Sequence, residues 1–143
     1  MELFDLSGRV AIITGSTKGI GKAIAARMCQ HGAKVVISSR KADACEAVTA
    51  EINRDFASNG GEAISIPAHV GVEGELRNLV DKTLDKWGKI TTLVPNAAAN
   101  PYYGPSAEMP DSAFEKIWEV NVKSVFRLCH MVLPGMADAG SGS

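Results

Sequence analysis

Val10-Ala11-Ile12-Ile13-Thr14-Gly15-Ser16-Thr17-Lys18-Gly19-Ile20-Gly21 decides how this chain is read. Apolar residues run without alternation into a glycine turn, and an apolar-periodic segment follows as far as His31-Gly32. The pattern predicts a buried strand, a tight turn and a helix. Gly15 and Gly19 allow the turn backbone angles closed to residues with a Cβ. The helix then aims its unpaired N–H groups and the positive end of its dipole at whatever sits in the turn, which suits a phosphate. Gly21 lets helix and strand pack closely. The stretch reads as a dinucleotide site with Gly15, Ser16, Thr17, Lys18, Gly19, Ile20 and Gly21 as its candidate contacts. An ordinary strand–helix turn uses similar residues, so the rest of the chain has to decide.

Outward from this stretch the alternation recurs. In the first helix Ile20, Ala23, Ile24 and Met28 supply an apolar face. Lys34-Val35-Val36-Ile37-Ser38-Ser39 is a second buried strand, and Cys45, Val48, Ile52 and Phe56 mark a helix that Asn59-Gly60-Gly61 stops. Residues 63–67 form a third, weaker strand; Leu76, Val80, Leu84 and Trp87 line a third helix ending at Gly88; residues 90–94 form a fourth strand. After a loop at residues 100–110, Ser112 and Glu115 have capping-box spacing. Phe114, Ile117, Trp118, Asn121, Val125, Leu128, Cys129 and Val132 then carry a long helix with a local bend, and Pro134-Gly135 begins its end. Residues 139–143 read as loop.

Strands alternating with helices predict an α/β fold: a Rossmann-type, doubly wound parallel sheet in three α/β/α layers, with strand order 3-2-1-4. In that order the fourth strand is an edge, yet Ile90-Thr91-Thr92-Leu93-Val94 carries no charge to blunt it. A further neighbour is expected beside it. Residues 1–143 are therefore expected to be the N-terminal cofactor-binding part of a single, unfinished domain.

Composition narrows the partners. The 143 residues are 45% hydrophobic with a net charge of −1. No basic field invites nucleic acid or an anionic membrane surface, and neither is expected as a partner. No apolar run reaches the length of about 18 residues that spans a bilayer, and Met1-Glu2-Leu3-Phe4-Asp5 has no secretory pattern. Cys29, Cys45 and Cys129 show no C-x-x-C spacing, and His31, His69 and His130 show no ligand spacing. Free buried thiols in a reducing cytoplasm are expected, with no metal site.

The second strand delivers Ser39-Arg40-Lys41 to the place where a dinucleotide fold meets the adenosine ribose. An acidic residue there accepts from a free 2′-hydroxyl, whereas an Arg accommodates a 2′-phosphate. Arg40 can grip phosphate through two N–H groups. With Lys41 beside it, Ser39 as a hydroxyl donor and Lys18 in the glycine turn, it points to NADP(H) rather than NAD(H).

The T-G-x-x-x-G-I-G turn resembles the short-chain dehydrogenase/reductase family, and further segments fall in family order between Leu6-Ser7-Gly8-Arg9 and Pro134. His69-Val70 resembles the family's Asp-Val, which meets the adenine; His in place of Asp implies a different adenine contact. Pro95-Asn96-Ala97-Ala98 is similar to the family's Asn-Asn-Ala-Gly, with Asn96 and Ala97 matching and Pro95 and Ala98 departing. Small residues there let the backbone approach the nicotinamide ribose, so Asn96, Ala97 and Ala98 join the candidate cofactor contacts. Thr91 stands where the family usually has Asp. Asn121-Val122-Lys123-Ser124 resembles the family's Asn-Val/Leu-x-Ser/Gly, whose Asn belongs to a catalytic tetrad, and Asn121 is the candidate catalytic residue. Mid-helix Asn is otherwise a poor helix former.

The resemblance implies hydride transfer between NADP(H) and a carbonyl or secondary alcohol, the protein supplying orientation and proton chemistry. It also implies a homo-oligomer, dimer or tetramer, through the helix that holds Asn121. The family's catalytic Ser and Tyr-x-x-x-Lys are not matched: the two tyrosines are Tyr102 and Tyr103, and four residues on stand Ser106 and Ala107. Both tyrosines lie in the loop where the family's substrate pocket has part of its wall. Gly140-Ser141-Gly142-Ser143 resembles the lead-in to a fifth strand. The expectation is a chain that supplies the cofactor half of an enzyme, inactive alone and binding NADP(H) weakly or not at all alone. A non-catalytic dinucleotide-binding or interaction module is the reading left beside it.

Overall fold

The computed structural model describes residues 3–143; Met1 and Glu2, which open the segment read above as lacking a secretory pattern, lie outside the described residues. Strand β1 (Val10–Thr14) is buried at every position, as a run without polar alternation requires when both faces of the sheet are covered. It lies inside a parallel sheet of order β3-β2-β1-β4, formed with β2 (Lys34–Ser38), β3 (Glu62–Ser65) and β4 (Thr92–Val94). Ile12 sits beside Val36 on one flank and Leu93 on the other. The predicted strand order and fold class are observed, with β3 and β4 shorter than their apolar runs.

Helices α1 (Gly19–Gln30) and α2 (Ala42–Phe56) cover one face. The other carries α3 (Glu73–Trp87) and a long helical rod. The rod consists of α4 (Asp111–Trp118), a π-turn (Glu119–Lys123) and α5 (Ser124–Asp138). Strand periodicity divides the core between the two faces. Ala11, Ile13, Val35 and Ile37 pack with Ala25, Cys29, Cys45 and Ile52, while Ile12 and Val36 pack with Leu76, Leu79, Leu128 and Val132. Because the strands are parallel, the turns after β1, β2, β3 and β4 all emerge at one edge of the sheet, where ligands of such folds bind.

Several local expectations are corrected. In α1 the buried positions are Gly21, Ala25 and Cys29, while Ile20 is 74% exposed and Ala23 also faces solvent. The helix lies so close to the sheet that only small side chains fit between, and the larger apolar ones fall to its flanks. The capping box at Ser112 and Glu115 does not form. Pro110 occupies the cap position with extended angles, and its carbonyl accepts from the N–H groups of Ala113 and Phe114. The helix therefore starts before Ser112 can cap it.

Pro134 does not begin the end of the last helix; α5 runs through it to Asp138. Met136, one turn beyond Val132, is buried in the same core and extends the apolar face past the proline. Residues 139–143 are turn and loop, as expected, and they reach the sheet edge. Ser143 donates its N–H to the Thr91 carbonyl at 3.1 Å and accepts from the Leu93 N–H at 2.9 Å. That is a parallel ladder step on the outer edge of β4.

Cys29 and Cys45 are buried free thiols and Cys129 is a half-buried one. Among the described residues no helix is long and apolar enough to cross a membrane.

Proline inside a helix is about 3 kcal/mol less favourable than alanine. Pro134→Ala is therefore expected to raise stability by about 1–3 kcal/mol in urea unfolding followed by circular dichroism. A destabilised variant would contradict a helix that continues through this position.

Candidate functional site

Thr14 closes β1 inside the core. Its Oγ1 accepts from the N–H groups of Asn96 and Ala97, both at 3.0 Å. Asn96 answers through Nδ2, which donates to the carbonyls of Thr14 at 3.0 Å and Gly15 at 3.2 Å. These bonds tie the turn after β1 to the loop after β4. The glycines of the turn serve different needs. A Cβ on Gly21 would overlap the Gly15 carbonyl oxygen and lie 2.6 Å from Asn96 Nδ2, so position 21 has no room for one. At Gly15, φ is +66° and a Cβ would lie only 3.0 Å from the Ala97 Cα, whereas Gly19 has open space around it and is required only by its φ of +55°.

Open space beside Gly19 is where a ligand would approach. Lys18 precedes α1 in extended conformation, no side chain caps the helix, and its first turn holds no acidic residue. The Lys22 N–H donates to the Lys18 carbonyl at 3.3 Å, so the N–H groups of Gly19, Ile20 and Gly21 precede the helical ladder and lack intrahelical acceptors. Such a terminus, with unpaired N–H groups and no competing carboxylate, fits a pyrophosphate. Thr17 is half-buried, and Lys18 and Ile20 are exposed at its mouth. Ser16 works from inside. Its Oγ donates to the Ile13 carbonyl at 2.7 Å and accepts from the Ser38 N–H at 2.8 Å, while its own N–H donates to the Ser38 carbonyl. The serine fastens the turn onto β2.

At the end of β2, Ser39 is anchored by Cys45. Cys45 Sγ accepts the Ser39 N–H at 3.2 Å and lies 3.3 Å from its hydroxyl. The Ser39 carbonyl accepts from the Ala68 N–H at 3.0 Å, which brings the chain after β3 alongside. Arg40 and Lys41 follow immediately and are exposed. Among the described residues neither they nor Lys18 pair with a carboxylate. Next to this edge, the His69 N–H donates to the Glu75 carboxylate at 2.6 Å and its Nδ1 accepts the Gly71 N–H at 3.0 Å. Nδ1 thus serves as an acceptor for the turn backbone. Val70 beside it is buried.

Asn121 lies in the π-turn. Its Oδ1 accepts the Ala99 N–H at 2.8 Å and its Nδ2 donates to the Ala99 carbonyl at 2.9 Å. Both ends of the side-chain amide are therefore spent on the backbone one residue beyond exposed Ala98. In the π-turn the Ser124 N–H donates to the Glu119 carbonyl, five residues back. The Val120 carbonyl, which an α-helix would have paired with that N–H, instead accepts the Ser124 hydroxyl at 2.6 Å. Ser124 is buried and satisfies the carbonyl that the wider turn orphans.

Glu119 is held by Lys123 and Arg127, and Arg127 also reaches Glu73 at the start of α3. Desolvation pushes the Glu119 carboxyl upward, but the bonds from Arg127 and Lys123 outweigh it and hold the group below the usual glutamate range.

The predicted positions thus fall into groups. Asn96 and Ala97 are joined to the glycine turn through Thr14, and Asn96 and the Gly15 carbonyl crowd Gly21; Ser39, Arg40 and Lys41 share the adjoining edge with His69; Asn121 meets the chain just beyond Ala98. Tyr102 folds onto its own loop, donating to the Pro105 carbonyl, and Tyr103 is fully exposed. Sequence reasoning missed Thr14 as the hub, Cys45 as the support of Ser39, and Ala99 as the partner of Asn121. Thr14 was visible only as the residue before the first glycine, and nothing in the sequence marks Ala99.

The profile of the short chain dehydrogenase family matches residues 9–143. The chain is 41% identical over 136 residues to the short-chain dehydrogenase/reductase SDRA of Arabidopsis thaliana, covering 95% of this chain and 52% of that one. It spans about half the length of the curated relatives it matches. L-sorbose reductase from Gluconobacter frateurii, solved with NADPH and L-sorbose, superposes with a TM-score of 0.89 at 29% identity, over 97% of this chain and 51% of that one. A 7α-hydroxysteroid dehydrogenase solved with NADH and 7-oxo glycochenodeoxycholic acid superposes with a TM-score of 0.85 at 37% identity, over 97% and 52%.

Thr14→Val removes the acceptor shared by Asn96 and Ala97 while keeping shape. The Asn96 N–H keeps the Val94 carbonyl at 2.9 Å, but the half-buried Ala97 N–H loses its acceptor; a loss of about 1 kcal/mol is expected in urea unfolding, with Thr14→Ser close to wild type. Equal stability of the Val and Ser variants would contradict the hub.

Proposed function

The chain belongs to the short-chain dehydrogenase family, and from that premise we propose that it is the N-terminal, cofactor-binding part of an NADP(H)-dependent oxidoreductase acting on a carbonyl or secondary alcohol. The observation that carries this reading is the uncapped start of α1 behind Gly15, Gly19 and Gly21, with Arg40 at the neighbouring strand end. The N–H groups of Gly19, Ile20 and Gly21 would hold the pyrophosphate. Arg40, with Lys41 and Lys18 near it, would hold a 2′-phosphate. Solved neighbours carry either form, NADPH in L-sorbose reductase and NADH in the 7α-hydroxysteroid dehydrogenase; a cation in place of an acidic residue after β2 favours the phosphorylated form.

When bound, the nicotinamide supplies the hydride. What this chain adds is placement. Asn96, through Thr14 and Gly15, sets the loop after β4 against the glycine turn, and small residues at Ala97 and Ala98 leave the backbone open to the nicotinamide ribose. His69 and Val70 border the adenine end. Asn121 holds Ala99 and so fixes the far end of the same loop; in this reading its side chain acts by positioning. Among these 143 residues no Tyr-x-x-x-Lys supplies the proton, so the chain alone is expected to carry no reductase activity.

The rod supports association with a second copy. Phe114, Trp118, Val122, Phe126 and Leu133 are large apolar residues, each 43–61% exposed along the rod. We read them as the contact of a homo-oligomer, dimer or tetramer, in a reducing cytoplasmic setting that suits three free thiols. The same stripe is what favours an interaction module as the second reading.

Calorimetric titration of the chain with NADPH and NADH tests the cofactor assignment. Weak binding with NADPH preferred is expected, and Arg40→Asp should reverse the order. An unchanged preference in the variant would remove Arg40 from the site.

A further inference from the structure

The ion pair between Arg127 and Glu119 spans eight residues of one continuous rod. In an unbroken α-helix, residues eight apart stand about 80° out of line around the axis, whereas residues seven apart are only about 20° out of line. A π-turn holds one residue more per hydrogen-bonded turn. Because residues 119–123 form such a turn, Arg127 comes onto the same stripe as Glu119, where a helical side chain leaning toward the N-terminus can reach it. The pair therefore belongs to the π-register; converting the turn to α would swing Arg127 off that stripe.

The same register aims Asn121. Its side-chain amide makes two hydrogen bonds to the backbone of Ala99 at 2.8 and 2.9 Å. A change of register between Glu119 and Ser124 would rotate Asn121 relative to that loop. Glu119 is also packed near Gly71 in the turn after β3, at 3.7 Å from where a Cβ on that glycine would lie. Arg127 is only 18% exposed, touching both Glu119 and Glu73. It thus stands between the turn that follows β3 and the π-turn that holds the loop after β4.

We infer that Arg127 is a positioning residue: its guanidinium latches Glu119 so that the rod keeps its π-turn and Asn121 stays bonded to Ala99. The consequence for an active site rests on the functional reading above. The latch itself does not, because it is tested on the free chain without any cofactor. Amide hydrogen exchange read by NMR reports Ala99 directly, and Val36 in the central sheet reports global opening.

Arg127→Met keeps the apolar stem and removes the charge. It is expected to lower Ala99 protection at least tenfold with Val36 unchanged, and Glu119→Gln should do the same. Arg127→Lys, which keeps a cation facing Glu119, should retain most of the protection, and Glu73→Gln should leave Ala99 as in wild type. Unaltered Ala99 protection in Arg127→Met, or a loss matched by Val36, would overturn the latch. So would a loss in Glu73→Gln as large as in Arg127→Met, because the anchor would then be α3 rather than the π-turn.

Discussion

A side chain at position 21 would need the space already held by the Gly15 carbonyl and the Asn96 amide. The rest of the arrangement depends on that space staying free of a Cβ. Because Gly21 has none, α1 can begin hard against the end of β1. Because the helix begins there, its first N–H groups stand unpaired at the sheet edge. Because Asn96 fills the remaining gap and Thr14 receives its backbone, the loop after β4 is drawn to the same spot. One steric constraint thus joins the two turns between which a dinucleotide would lie.

The architecture was legible because its signals are redundant. Uninterrupted apolar runs, helix faces ended by glycine and strict alternation of the two leave few topologies, and the strand order followed from them. Readings that rested on one local rule fared less well. Counting apolar residues placed Ile20 on the buried face of α1, but the interface with the sheet admits only Gly21, Ala25 and Cys29. A capping box at Ser112 was outcompeted by the carbonyl of Pro110. Pro134 reads as a stop, although burial of Met136 carries the helix past it. In each case tertiary packing decided between local options that propensity alone ranks differently.

Site residues show the same division. The glycines, Asn96 and Asn121 were visible by type and order, but their work was not. Ser16 was legible as part of a ligand turn, but its hydroxyl is engaged with Ile13 and Ser38. Asn121 stood out as a poor helix former, yet its partner, Ala99, is a residue type without any polar side chain to betray a role. The π-turn adds a structural reason for tolerating that Asn: the segment is not a regular α-helix, and Ser124 repairs the carbonyl it exposes. Ion pairs from Arg127 and Lys123 gather on Glu119 at the first residue of the turn, which is where a helix of mixed register most needs to be held.

Inorganic pyrophosphate is the smallest probe of the claim that the mouth of α1 is an anion site. Titrated into isotopically labelled chain, it is predicted to shift the amide resonances of Gly19, Ile20 and Gly21 most, with the sheet amides of Ile12 and Val36 unmoved. Largest shifts on a remote basic surface, with the glycine-turn amides still, would contradict the account.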